Sequence, residues 1–168
     1  MSRFSKAAAS LLAVLAFVFI SVADYATAAT PTKTASDLLN SIDLAFESST
    51  CTNVKPLLSL YSDNVLVYDV TGQASGKNDY TDFLKKQLCL MDDPSTPHAD
   101  HRINFDLKEA GGSGNILWAS GTYHPSYVNP KGTAISAPDL RFTFIWQKDS
   151  NGVYKVVSAH TSGQGLMR

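Results

Sequence analysis

The chain holds only two cysteines, Cys51 and Cys89, in 168 residues. Two thiols are too few for a structural zinc site built on cysteine, and neither lies in a recognisable nucleophile motif. Charge is also sparse, at 17% of residues with a formal net charge of −1. No basic patch or arginine-rich stripe is present, which excludes nucleic acid as a partner. There is no N-x-S/T sequon, G-x-S-x-G, P-loop or dinucleotide fingerprint, and no cofactor is expected. His98 and His101 form an H-x-x-H in a loop-to-strand segment with no acidic partner, so no metal site is expected. The one long apolar run, Ala7 to Ala23, is short for a span of about 20 residues, and no basic cluster follows it.

That run has Arg3 and Lys6 before it and Ala26-Thr27-Ala28 behind it. Residues 1–28 therefore read as a signal peptide cleaved after Ala28. The mature protein is expected to be exported, periplasmic or extracellular, with no stable membrane span. Cleavage leaves 140 residues, enough for one domain with a real core. In an exported chain Cys51 and Cys89 are expected to form a disulfide, which contributes roughly 4 kcal/mol as an upper figure.

The most informative stretch is 139–162. Leu140, Phe142, Phe144 and Trp146 alternate with Arg141, Thr143, Ile145 and Gln147, a period of two that predicts a strand. Asp149-Ser150-Asn151-Gly152 supplies a hairpin turn. On the return strand, unbroken alternation puts Tyr154, Val156, Ser158, His160 and Ser162 on one face. An apolar start giving way to Ser, His and Ser suggests a core that opens into a polar-lined pocket.

Residues 29–34 read as a flexible mature N-terminus, and 35–165 as a single domain. Ala35, Leu38, Leu39, Ile42, Ala45 and Phe46 have helical spacing, with Thr34 or Ser36 as cap. Asn53 is expected to cap a short second helix containing Pro56 in its first turn. Asn64 to Val70 alternates as a strand, and Thr71 to Gly76 holds a short extended piece. Tyr80, Phe83, Leu84, Leu88 and Met91 mark a third amphipathic helix. His101 to Lys108 and Asn115 to His124 read as strands, the second tightly fitted around Trp118, Ala119, Gly121 and Tyr123. Pro125 to Pro138 reads as a long connection, a lid or a contact surface. Helices first and strands afterwards predict an α+β fold: a strongly curved antiparallel sheet, cone-shaped, wrapped around three N-terminal helices.

The element order resembles the nuclear-transport-factor-2-like superfamily, as do Tyr61-Ser62-Asp63-Asn64-Val65, Gly76-Lys77 and Phe83-Leu84. So does the terminal pattern of Tyr154, Val156, Val157, His160 and Ser162. Within it the chain looks like SnoaL-like domains and the association domain of calcium/calmodulin-dependent protein kinase II. The resemblance implies a pocket between sheet and helices and an outer sheet face used for a homodimer or larger homo-oligomer. It does not decide the function, because the same fold serves isomerases, dehydratases, cyclases, hydrolases, ligand binders and association modules.

His160, matching the family's terminal H-x-S, is the first catalytic candidate, or else a histidine that fixes the pocket wall. Asp69 is the second, as an acid or base at a strand end, or else a turn-starting aspartate. Tyr68, Trp118, Tyr154, Ser158 and Ser162 are expected in the pocket. Arg141 is either an anion clamp or an interface residue, and strand parity favours the outer face. His124 is expected near the pocket mouth. The leading expectation is a self-associating protein that binds a small, mostly apolar molecule. The alternatives are an acid/base enzyme using His160 and Asp69, or an oligomerisation module with a vestigial pocket.

Overall fold

The computed structural model describes residues 30–70, 72–91, 102–128, 133–136 and 138–163. Residues 1–28, the stretch expected to be a signal peptide, together with His98, His101, residues 129–132 and the Met91 side chain, lie outside the described residues.

Helix α1 spans Pro31–Glu47. It begins inside the stretch expected to be flexible, because Pro31 occupies the first turn, where its fixed φ suits a helix and no N–H is missed. Thr34 and Ser36, the expected caps, therefore lie within the helix. Ala35, Leu39, Ile42 and Phe46 form its buried stripe. Asp43 lies on that stripe, 7% exposed. Its carboxylate accepts the Ile103 N–H at 2.7 Å and an ion pair from Arg102 at 3.1 Å. Arg102 also reaches Glu47 at 3.1 Å. These bonds satisfy a carboxylate that apolar neighbours alone would leave stranded.

Helix α2 is the short turn Lys55–Leu58, and its N-cap is Val54. Asn53 instead pairs with Thr50 across a tight turn. Helix α3 spans Gly76–Met91 and buries Tyr80, Leu84 and Leu88. A disulfide joins Cys51, in the turn after α1, to Cys89 in the last turns of α3. Among the described residues no helix is long and apolar enough to cross a membrane.

The strands are β1 Tyr61–Asp69, β2 Gly72–Ser75, β3 Arg102–Ser113, β4 Ile116–Val128, β5 Ala134–Ser136, β6 Leu140–Lys148 and β7 Tyr154–Gly163. They form an open sheet in the order β2-β1-β7-β6-β4-β3, with β5 on β4. The sheet is mixed rather than antiparallel throughout, since β1 runs parallel to β7. Sequence alternation reports the two faces of a strand, not the direction of its partner. The expected 125–138 connection is shorter than its composition suggested: β4 continues to Val128, and Ser126 faces Ser136 of β5.

Two single-residue bulges shape the sheet, beside a longer irregularity between Tyr61 and Leu66 of β1. On β3, Leu107 pairs with Gly121 and Glu109 with Ser120, leaving Lys108 over. Gly121 permits the close approach there, because a Cβ would stand 2.2 Å from the Asp106 carbonyl oxygen. On β7, Ser158 pairs with Ile145 and Val156 with Trp146, leaving Val157 over. An extra residue of this kind bends a strand and reverses its parity. The inner face of the sheet packs on the helices through Val65, Trp146 and Val156, each at most 1% exposed.

Candidate functional site

A cavity of about 290 Å³ lies between the inner sheet face and the helices. Phe46 of α1, Leu57 of α2 and Phe83 of α3 close one side. Val67, Phe105, Leu140, Phe144 and Ala159 of the sheet form the other. Its wall is mostly apolar, with a few placed polar groups, the usual composition of a small-molecule site.

The polar groups come from strand positions that share parity with the core. Val65, Val67 and Asp69 face inward on β1, so the strand that builds the core delivers a carboxylate to the cavity. The bulge at Val157 turns Ala159 and Thr161 inward on β7. Thr161 Oγ1 donates to Asp69 Oδ2 at 2.5 Å. The Tyr123 hydroxyl, from β4, shares a hydrogen bond with Thr161. Tyr61 and Tyr80 hydrogen-bond each other beside them, ring centroids 4.6 Å apart. Burial pushes the phenols of Tyr61 and Tyr123 up to about 12, and Tyr80 well above its usual value. The negative charge of Asp69 adds to the rise at all three. These phenols are hydrogen-bond donors and the Asp69 carboxyl oxygens are acceptors, a pairing suited to holding a ligand or moving a proton.

Asp69 is the one sequence candidate that lines this cavity. His160 lies exposed on the opposite sheet face, so the two are not a pair. The bulge explains this: it leaves Tyr154 and Val156 with the core but turns Ser158, His160 and Ser162 outward. The register gathers the displaced candidates in cross-strand rows. Leu66, Ser158, Ile145 and Trp118 form one row, and Tyr68, His160, Thr143 and Ser120 the next. Ser162, Arg141 and Thr122 make a third. Tyr68 and Trp118 are 45% and 37% exposed, and Arg141 is exposed as parity predicted. Tyr154 packs at the core edge, with the Lys148 ammonium 5.1 Å from its ring centroid. None of the five residues expected in the pocket lines the cavity. Thr161 was missed as a site residue, whereas Tyr123, which the sequence offers as core and pocket lining, does line the cavity; the signal for Asp69 was its place at the end of a strand.

His124 contacts Asp139 through Nδ1 at 2.8 Å and Ser136 through Nε2. The order of contacts resembles a nucleophile triad, but the His124 and Asp139 side chains are 41% and 61% exposed. Water competes for such a carboxylate, which then orients the imidazole weakly. The cluster ties β5 and the start of β6 to β4. Among the described residues no group of three or more His, Cys, Asp or Glu side chains could hold a metal ion.

No family model matches the chain, and no curated protein matches its sequence. Solved structures do match. A nuclear-transport-factor-2-like superfamily protein of Salmonella enterica aligns at a TM-score of 0.63 and 16% identity, over 82% of this chain and 96% of that one. A calcium/calmodulin-dependent protein kinase II association-domain-like protein of Xanthomonas campestris aligns at 0.62 and 12% identity, over 83% and 95%. A ketosteroid isomerase-like protein of Erwinia carotovora atroseptica aligns at 0.58 and 14% identity, over 77% and 93%. The protein has the nuclear-transport-factor-2-like fold, as the sequence resemblance implied.

Proposed function

We propose that this protein is an exported, self-associating binder of a small, mostly apolar molecule. The observation that carries the reading is the cavity of about 290 Å³, apolar around most of its wall and polar where Asp69, Thr161 and Tyr123 meet. Its size sits at the lower end of the roughly 300–1,000 Å³ typical of ligand pockets, which favours a compact ligand. The disulfide supports an oxidising compartment. Native mass spectrometry of the mature protein from its own source is expected to find a retained small molecule. Ala159→Leu, which fills the cavity, is expected to lose it while keeping the far-ultraviolet circular dichroism of the parent. An empty cavity in both forms would count against the reading.

The outer sheet face supports the self-association. Leu66, Tyr68 and Trp118, 37–45% exposed, flank polar His160 and Arg141 on one continuous surface. Trp118→Glu is expected to shift the protein to monomer in sedimentation velocity, with the melting temperature of the subunit little changed. An unchanged mass would remove this face from the interface.

A second reading has one observation in its favour: Asp69 stands in an apolar-walled cavity with neutral phenols beside it. That is the equipment of a proton-transfer enzyme, and one structural relative is ketosteroid isomerase-like. On this reading Asp69→Asn abolishes turnover and His160→Ala does not.

A further inference from the structure

We propose that the ligand carries a single aromatic ring, recognised as a ring by the aromatic side chains of the cavity wall and not merely as apolar bulk. This rests on the cavity being a ligand site.

Rings are concentrated in this wall. Aromatic residues make up 10% of the chain but seven of the nineteen described residues that line the cavity. Six of the seven stand in two sets. Phe105 of β3, Tyr123 of β4 and Phe144 of β6 form the first, with the Phe105 centroid 5.9 Å from Tyr123 and 6.0 Å from Phe144. Tyr61 of β1 with Tyr80 and Phe83 of α3 form the second, with the Tyr80 centroid 4.6 Å from Tyr61 and 6.1 Å from Phe83. Strand β7 runs between β1 and β6, and so between the two sets. It contributes Ala159 there, whose partners in register are Val67 and Phe144. One methyl between larger neighbours keeps the sheet surface low at that point and leaves space between the rings.

The inclinations of these rings matter as much as their number. Phe144 meets Phe105 at 66° and Tyr123 meets it at 34°. Tyr61 meets Tyr80 at 46°, while Phe83 lies within 21° of parallel to Tyr80. Rings set at such varied angles present edges as well as faces to the space between them. An aromatic ring has a negative face and a positive edge, so a ring inserted there complements both, with a gain beyond the area it buries. A saturated ring of the same carbon count has no such charge distribution and gains from burial alone. The volume sets the number of rings. A dry apolar cavity of about 150 Å³ holds benzene. The cavity of about 290 Å³ therefore takes one ring with a short substituent.

The test is a calorimetric titration of the mature protein with benzyl alcohol and with cyclohexylmethanol. The two share a carbon count and a hydroxyl, so any hydrogen bond to Thr161 or Tyr123 is common to both. Burial alone ranks the saturated alcohol first, because it removes more apolar surface from water. The expected order is the reverse, with benzyl alcohol about threefold to tenfold tighter. Anisole and methoxycyclohexane, which carry no hydroxyl proton, are expected to rank the same way. Phe83→Leu and Phe105→Leu keep an apolar side chain at two half-buried positions, one in each set. Each is expected to narrow the ratio while changing the affinity for cyclohexylmethanol little, and a ratio that survives both would count against recognition by the rings. If the saturated members bind the parent protein as tightly as the aromatic ones, the ring inference is overturned and the cavity remains a ligand site. If none of the four binds to well-folded protein, the cavity reading itself fails.

Discussion

Raising the pH above about 10 is expected to unfold this protein steeply. Tyr61 and Tyr123 have folded-state pKa values raised from 10.0 to about 12. Between those limits the folded state holds protons that the unfolded state has released, so stability falls as pH rises. The contribution is intact below the unfolded value and gone above the folded one. Each buried phenol removes about 1.4 kcal/mol per pH unit across that window. Together Tyr61 and Tyr123 remove roughly 5 kcal/mol, comparable with the whole stability of many domains. Tyr80, raised by burial and by its bond to Tyr61, adds in the same direction. Circular dichroism and phenolate absorbance, followed together, are expected to change in one step, because these phenols ionise on exposure. Tyr123→Phe is expected to make the fall shallower by one proton. Phenolate signal from the buried tyrosines that precedes loss of structure would show that they are not sealed as described.

Breaking the Cys51–Cys89 bridge is the second large expected effect. It closes a loop with a sequence separation of 38, which constrains the unfolded chain by roughly 4 kcal/mol in the chain-entropy model. The bridge also ties α3, which carries Tyr80, Phe83, Leu84 and Gln87 to the cavity, to the turn after α1. Cys51→Ser/Cys89→Ser is therefore expected to lower the urea midpoint strongly and to weaken ligand binding more than a distant change of equal cost. An unchanged midpoint on reduction would mean that the bridge contributes nothing. Thiol–disulfide exchange does not confuse the alkaline experiment, since no free cysteine is present among the described residues.

Much of this architecture was legible before the coordinates. Helix α3 and the β6–β7 hairpin announce themselves because their periodic patterns are long and bounded by turn residues. Asp69 was legible as a candidate because it ends a strand. What alternation could not reveal was which face of β1 is inside, so Tyr68 and Asp69 could not be separated. The bulge at Val157 was invisible for a related reason: nothing in Tyr154-Lys155-Val156-Val157-Ser158 marks one residue as extra. Every pocket residue inferred beyond it landed on the wrong side. Asp43 escaped notice because a single acid on an apolar stripe looks like an interruption until its partners, Ile103 and Arg102, are in place across the fold. The start of α1 was placed late because its apolar spacing begins only at Ala35, whereas the helix itself starts at Pro31.

The spare residue at Val157 has a further meaning for how such a chain can change over time. Deleting it would leave Val156 opposite Trp146 and Ser158 opposite Ile145, with Ala159 and Thr161 still in the cavity; absorbing it into regular pairing would instead carry Ser158, His160 and Ser162 inward and Ala159 and Thr161 out to the surface. A one-residue change of register thus separates two different interiors on the same scaffold, one lined with a hydroxyl and a carboxylate, the other offering an imidazole. Lineages can trade between those chemistries by shifting how this one residue pairs, without rebuilding a helix.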